Sequence, residues 1–408
     1  MRRIAWFLLL LFAFAIPWEY SLDLGEPLGN VARIAGVLLL LVAVPAMLQS
    51  GRIHTPGPVQ WLVLALYLWF CCTRFWTVDA FMTEERIRGY FQEMMIVWLV
   101  WEFVESPRHL RALLRAWVAG SWVLAALTLA NFASPAAVYA AQVRFVATGQ
   151  DPNDVARFLD LALPLAALLF NSESRLAARL LALGYVPFGL VAVLLTASRE
   201  GFLAALAALG ACAILLGRGR ARVVAAAVLA LPAAAAGIWL IVPQGTFARL
   251  ATIPAEIQSG DLNQRLNIWT AGWHAFAQAP LFGSGAGSFV TAAHLAPIDT
   301  AHDTALSIAV NGGLCALFLA AAILAVCARS VFETRGSLRL ALGTALAVWS
   351  MTSLVATAEE NRTTWLLFAV IAVAGRLANE MPDRLYGCFG EKPAPQPAAA
   401  PALVLLSD

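Results

Sequence analysis

Residues 176–216 read LAARLLALGYVPFGLVAVLLTASREGFLAALAALGACAILL. Two apolar runs, 176–195 and 202–216, are joined only by Thr196 to Gly201. In lipid, every backbone N–H and C=O must be bonded within its own segment, so runs of this kind read as two membrane helices with a tight turn between them. The turn carries Arg199 and Glu200, ionisable residues at a place where burial makes an unpaired charge costly.

The pattern repeats along the 408-residue chain. Further apolar runs fall at 4–17, 31–48, 59–72, 90–104, 110–129 and 155–170, and after the quoted stretch at 223–242, 304–326, 338–355 and 365–377. The reading is an all-α polytopic membrane protein of about 12 transmembrane helices. Several runs fall short of the roughly 17 residues a crossing needs, so their ends extend into the flanks or some are re-entrant. Composition agrees: 61% of residues are hydrophobic and only 13% charged, against about 25% charged in soluble domains. The first run follows Arg2 and Arg3 but precedes Trp18-Glu19-Tyr20 rather than a small-residue cleavage site, so it is expected to stay as a first helix.

Orientation follows from arginine. With alternate loops assigned to the cytoplasm from the N-terminus onward, 17 of the 27 basic residues fall inside, which puts both termini in the cytoplasm. The longest outer segment, 243–303, lies between the ninth and tenth spans, and loops of that length usually carry function. Within it, 247–262 and 266–276 read as short helices, the second with Leu266, Ile268, Trp269 and Trp273 suited to lying along the interface. Residues 1–391 are expected to form one membrane unit, and 392–408, rich in Ala and Pro, a disordered tail. A net charge of +2, scattered along the chain, gives no reason to expect a nucleic-acid partner. Six cysteines lie mostly inside apolar runs, without metal-ligand spacing.

Four outer arginines stand at span ends or in the long loop: Arg144, Arg199, Arg265 and Arg362. A guanidinium offers a fixed fork of donors and stays charged, so several together suit a pyrophosphate; any one alone serves equally as a headgroup anchor. Asp151, Pro152, Asn153 and Asp154 are ordinary turn and cap residues. The glycines at 283, 285 and 287 follow no strand, which argues against a nucleotide-phosphate loop. His302 stands at the mouth of the tenth span, followed by Asp303. Imidazole titrates near neutrality and can take a proton from an attacking hydroxyl, while a helix-starting His-Asp pair serves equally as a cap. His274 and His294 compete for the role.

These segments together resemble the O-antigen ligase family and its relatives, the O-antigen polymerases and ligase-like protein oligosaccharyltransferases. The resemblance rests on Arg144 to Asn153, on Ser198-Arg199-Glu200-Gly201, on Arg265 to Trp269, on Pro280 to Phe289 and on His302 to Gly313. Ligases of the family carry a histidine followed by Asn, Ser or Gln, then nine residues and a glycine, then two residues and Gly, Thr or Tyr. His302 and Gly313 keep that spacing. Asp303 and Ala316 depart from it, as does Trp269, where a ligase often has leucine, and these departures leave polymerase and protein glycosyltransferase as alternatives.

The resemblance implies a GT-C-like enzyme of the bacterial inner membrane with a periplasmic active site. It implies transfer of a glycan from undecaprenyl pyrophosphate to a sugar hydroxyl of lipid A core, with inversion and without metal or other cofactor. It also implies that Arg199 and Arg265, supported by Arg144, hold the pyrophosphate. His302 then orients or deprotonates the acceptor, with Asp303 and Glu200 in reserve as base or orienting group. Two rival readings are a flippase or transporter, which would place its site near the midplane, and a metal-dependent glycosyltransferase, for which Asp23 and Glu26 are the only acidic residues in the first outer loop.

Overall fold

The computed structural model describes residues 1–25, 29–134, 143–217, 236–260 and 265–391. Among these, regular structure is helical apart from one isolated bridge between Asp23 and Asn30. The helices are α1 (Arg2–Ala15), continued by a 3-10 turn (Ile16–Ser21), α2 (Val31–Ser50), α3 (Pro58–Thr73), α4 (Ala80–Phe103), α5 (Pro107–Ala133), α6 (Pro152–Ser172), α7 (Leu176–Leu195) and α8 (Arg199–Gly217). After them come α9 (Gln244–Ala251), α10 (Ile253–Ser259), α11 (Arg265–Gln278), α12 (Phe289–Ala292), α13 (Thr304–Glu333), α14 (Gly336–Ser353), α15 (Arg362–Glu380) and α16 (Pro382–Cys388).

Seven of the described helices are long and apolar enough to cross a membrane: α1 with its 3-10 extension, α2, α5, α6, α7, α8 and α13. The helix α3 is apolar but shorter, at 16 residues. The run at 223–242 lies largely outside the described residues, as does the tail from 392 onward. Two helices are buried nearly all round and are therefore central. One is α6, packed against α5, α7, α8 and α14, and the other is α15, packed against α4 and α13.

Polar cross-links gather the loops at two ends of the bundle. At one end Arg2 bonds Glu105 (2.6 Å) and Ser50 (3.0 Å), Arg111 donates to the Cys388 carbonyl (3.0 Å), and Arg376 donates to that of Val104 (2.7 Å). At the other, Gln150 donates to Ser21 (3.0 Å), Arg86 pairs with Glu360 (2.7 Å), Thr77 shares a hydrogen bond with Ser288 (3.0 Å), and Arg265 pairs with Glu200 (3.3 Å). Among the described residues, these contacts join loops that the sequence reading places on the same side.

The 243–303 segment differs in detail from the sequence reading. The expected helix at 247–262 is divided at Thr252, with Pro254 starting a new helix, and residues 261–264 lie outside the described set. The helix expected at 266–276 runs from Arg265 to Gln278, and its Ile268 and Ala275 pack on Phe289, Leu306 and Val310. The glycine-rich stretch after it docks on a break in α13. Gly313 interrupts that helix with φ 68° and ψ −167°. The backbone groups so released are taken up from outside: Ser284 N–H donates to the Val310 carbonyl (2.8 Å), Gly285 N–H to that of Asn311 (3.0 Å), and Leu314 N–H to that of Pro280 (2.8 Å). A Cβ on Gly313 would collide with the Leu281 carbonyl, and one on Gly283 would lie 2.5 Å from the Gly313 nitrogen. This junction gives the His302-to-Gly313 spacing a physical reason, since it sets how far the imidazole stands from the helix break.

Gly313→Ala is accordingly expected to cost about 1–3 kcal/mol for a backbone region reserved to glycine, before the clash is counted. A lowered unfolding temperature in detergent, read by fluorescence-detected size exclusion after heating, is the expected outcome. An unchanged midpoint would show that the junction is not needed for stability.

Candidate functional site

The N-termini of α6 and α8 are pressed together, and the sequence of both explains it. Gly201 leaves no Cβ to strike that of Ala156. Ser198 Oγ accepts from the Gly201 amide (3.2 Å), capping the first turn of α8, and donates to Asn153 Oδ1 (2.9 Å). Asp151 caps α6 through the amides of Asn153 (2.7 Å) and Asp154 (3.4 Å). Arg144 bridges the joint, donating from Nε to the Thr196 carbonyl (3.0 Å) and from Nη2 to Asn153 Oδ1 (2.8 Å). Its position is that of a brace behind Ser198 and Arg199.

On this joint stand three arginines from three segments. Arg199 Nη1 pairs with Glu256 Oε1 on α10 (3.1 Å). Arg265, at the start of α11, pairs through Nη1 with Glu200 Oε2 (3.3 Å). Arg249 of α9 donates from Nε to the Ala197 carbonyl (3.2 Å). Ala197 itself has φ 49°, the strained residue of the tight turn. Burial and the neighbouring charges of Arg199 and Arg265 lower the Arg249 pKa, with Glu256 acting the other way. Arg199 Nε, Glu200 Oε1 and Glu256 Oε2 are buried and make no hydrogen bond among the described residues. Guanidinium groups crowded to this degree, with carboxylates as their only counter-ions at these contacts, suit an anion with several oxygens that replaces the carboxylates.

His302 lies just before the start of α13, next to Ala301, which α11 holds. Its φ is 47°, and its amide donates to Thr357 Oγ1 (3.1 Å). Thr304 ties the same corner to the loop before α15, donating to the Ala356 carbonyl (2.8 Å) and accepting from the Ala358 amide (2.8 Å). Trp269 Nε1 donates to the Ala301 carbonyl (3.1 Å), so the residue departing from the ligase pattern fastens α11 to the segment that carries His302. Burial, and then the positive charge of Arg265, lower the His302 pKa, while Asp151 and Asp299 oppose them. Both lowering effects favour the neutral imidazole. Asp303 caps α13, its Oδ1 accepting from the Leu306 amide (2.7 Å). Burial raises its pKa against the lowering effect of the Leu306 and Ala305 amides.

The structure therefore brings Arg199, Glu200, Arg265 and His302 together, with Arg144 behind them. Arg362 is elsewhere: it bonds Glu19 and donates to Gln92 Oε1 (2.6 Å). Asp23 receives the Gly25 amide (2.9 Å), while Glu26 lies outside the described residues. Sequence reasoning passed over Arg249 and Glu256. Their one sequence signal is seven-residue spacing, two helical turns, and Thr252-Ile253-Pro254 between them interrupts the helix that would align them.

Fold and site define a polytopic, all-helical membrane protein with an arginine and histidine centre at one end of its bundle. Residues 184–321, about a third of the chain, are similar to the family model described as O-antigen ligase, which supports the resemblance seen in the motifs. The matched segment runs from within α7 to the middle of α13, so it holds Arg199, Arg249, Glu256, Arg265, His302 and Gly313 but not Arg144. The family implies a glycosyltransferase-like activity on polysaccharide and lipid-linked substrates. No curated protein matches the chain.

Proposed function

We propose that this protein is an O-antigen ligase of the bacterial inner membrane. It has about twelve spans and both termini in the cytoplasm, and transfers a glycan in the periplasm from undecaprenyl pyrophosphate to a sugar hydroxyl of lipid A core. The observation that carries the reading is that α11 joins the two parts of the site: Arg265 pairs with Glu200 (3.3 Å), and Trp269, one turn on, donates to the Ala301 carbonyl next to His302 (3.1 Å).

In this mechanism the pyrophosphate lies on Arg199, Arg249 and Arg265, displacing Glu256 and Glu200. The acceptor oxygen attacks the anomeric carbon from the face opposite the pyrophosphate, so the configuration inverts. Its proton passes to the neutral His302, and the bond from carbon to the pyrophosphate oxygen breaks. The charge that develops on that oxygen falls on preorganised guanidinium donors in a partly buried site, where such stabilisation is largest. Arg144 holds the α6–α8 joint in place. Glu200 is the reserve base, and Asp303 orients the histidine corner through its cap.

The reading is tested by reconstituting the protein in vesicles with undecaprenyl-pyrophosphate-linked glycan and lipid A core. Glycosylated lipid A core with inverted linkage is the expected product. The rate should be full in excess chelator, because the charge of the pyrophosphate is met by the guanidinium groups of Arg199, Arg249 and Arg265. Loss of activity restored by magnesium would overturn the metal-independent mechanism.

A further inference from the structure

Away from the arginine centre, the same end of the bundle holds a polar vestibule of about 590 Å³ between the turn after α1, the start of α4 and the loop before α15. It opens into an apolar groove of about 430 Å³ that descends between α2 and α4 with α1 as its floor. The two share Arg33, Arg88, Gln92 and Arg362. Below this rim the walls are apolar, including Phe12, Val37, Leu40, Phe91, Met95 and Leu99. From Ile87 to Leu99 the groove follows α4 for about 18 Å at 1.5 Å per residue, slightly more than one leaflet of a roughly 30 Å hydrocarbon core.

The rim has the charge for a phosphate. Arg33 makes no side-chain ion pair with any described residue, and Arg88, whose side chain is 66% exposed, meets only the exposed carboxylates of Glu85 and Glu84. The vestibule above is mixed, with Glu19, Asp23, Glu85, Glu93 and Glu360 in its wall and Arg362 paired with Glu19. The groove itself is lined by Arg33, Arg88 and Arg362 and by no carboxylate, and a basic rim over an apolar slot between membrane helices is what an anionic lipid headgroup with its chain requires. The vestibule also leads to the site. Its wall includes Gly149, and two residues later Asp151 caps α6 at the amide of Asn153, whose side chain bonds Ser198 next to Arg199. Arg199, Arg249 and Arg265 line neither cavity.

We infer that the α1–α2–α4 groove and its Arg33–Arg88–Arg362 rim seat the acceptor, a phosphorylated glycolipid, by one acyl chain and a headgroup phosphate. This rests on the ligase reading above. A reaction between two lipid-borne substrates needs two approaches to one centre. With the pyrophosphate assigned to the three arginines on the α8–α11 side, the vestibule offers an approach for the second, since its wall includes Glu360 of the loop whose Thr357 bonds the His302 amide.

The test uses the full chain in phosphatidylcholine nanodiscs, with the Arg33→Glu/Arg88→Glu double variant and, separately, Val37→Trp, which fills the groove from a side chain 53% exposed. Losing charge-assisted contacts should raise the KM for lipid A core about tenfold or more. The KM for the lipid-linked donor should stay unchanged, which also shows that the variants are folded. Native mass spectrometry should show bound lipid A lost and undecaprenyl pyrophosphate retained. An unchanged acceptor KM overturns the inference, as does a raised donor KM, which would give the groove to the donor chain. Displacement of lipid A by equimolar phosphatidylglycerol overturns it too, marking an annular lipid site. If the unsubstituted protein transfers glycan to no lipid A core at all, the ligase reading falls with it, whereas normal transfer with indifferent variants removes the groove alone.

Discussion

Replacing Arg265 by lysine is expected to lower glycan transfer by about 100-fold or more, the size of effect seen when one preorganised donor to a developing oxyanion is removed. A lysine at the start of α11 keeps the positive charge and can still pair with Glu200, so the protein should insert and accumulate normally. What it loses is the planar fork that holds a phosphate through two bonds. Arg199→Lys should act in the same direction. The measurement is turnover in reconstituted vesicles, normalised to inserted protein. Near-normal rates in both variants would reduce these residues to anchors for lipid headgroups.

The sequence was most informative where a single physical rule dominates. Apolar length alone marked α2, α5, α6, α7, α8 and α13, because lipid leaves the backbone little choice but a helix. At α4 it marked only the apolar run 90–104, too short to cross alone, and the helix extends into the flank as such a run requires. It begins at Ala80, takes in Glu84, Glu85, Arg86 and Arg88, and is capped by Asp79 on the Met82 amide (3.0 Å). Those turns are held by contacts distant in sequence. Thr83 donates to the Ala286 carbonyl (2.8 Å), and Thr291 donates to Asp79 (2.7 Å).

The same distinction runs through the site. Arg199 and His302 stand at span ends, where charge is conspicuous, and both are at the centre. Arg362 was as conspicuous and lies on the vestibule instead, because the partner that holds it, Glu19, belongs to a turn more than 340 positions away. Arg249 and Glu256 could be recognised only once α9 and α10 folded back over Ala197 and Arg199. The spacing from His302 to Gly313 was readable as a pattern, but its cause, a helix break accepted by residues 280–285, needed coordinates.

His302→Ala should abolish transfer, with a loss of about 10²–10⁴-fold for a missing general base, and its pH behaviour should identify the group. A base must be neutral to act, and burial with the Arg265 charge lowers the His302 pKa. Activity should therefore persist below the usual imidazole range near 6.5 before falling on the acid side. Arg265→Gln removes one of the causes that lower the pKa, so the acid limb of its residual rate should move up in pH. Asp299→Asn removes an opposing charge and should move it down. A limb that moves up in Arg265→Gln but stays fixed in Asp299→Asn would take the proton from His302 and give it to Glu200, whose own charged form Arg265 stabilises. In cells the same His302→Ala change separates ligase from polymerase, since both would use one donor and one arginine clamp and differ only in the acceptor that reaches the imidazole. A ligase variant leaves long chains on undecaprenyl pyrophosphate and lipid A core unmodified. A polymerase variant leaves lipid A core bearing a single repeat, and a protein glycosyltransferase variant loses a glycoprotein while lipopolysaccharide stays normal. The first profile is the one expected on gels, because His302 and Gly313 keep the ligase spacing and Asp303 and Trp269, which depart from the pattern, both hold the histidine corner in place.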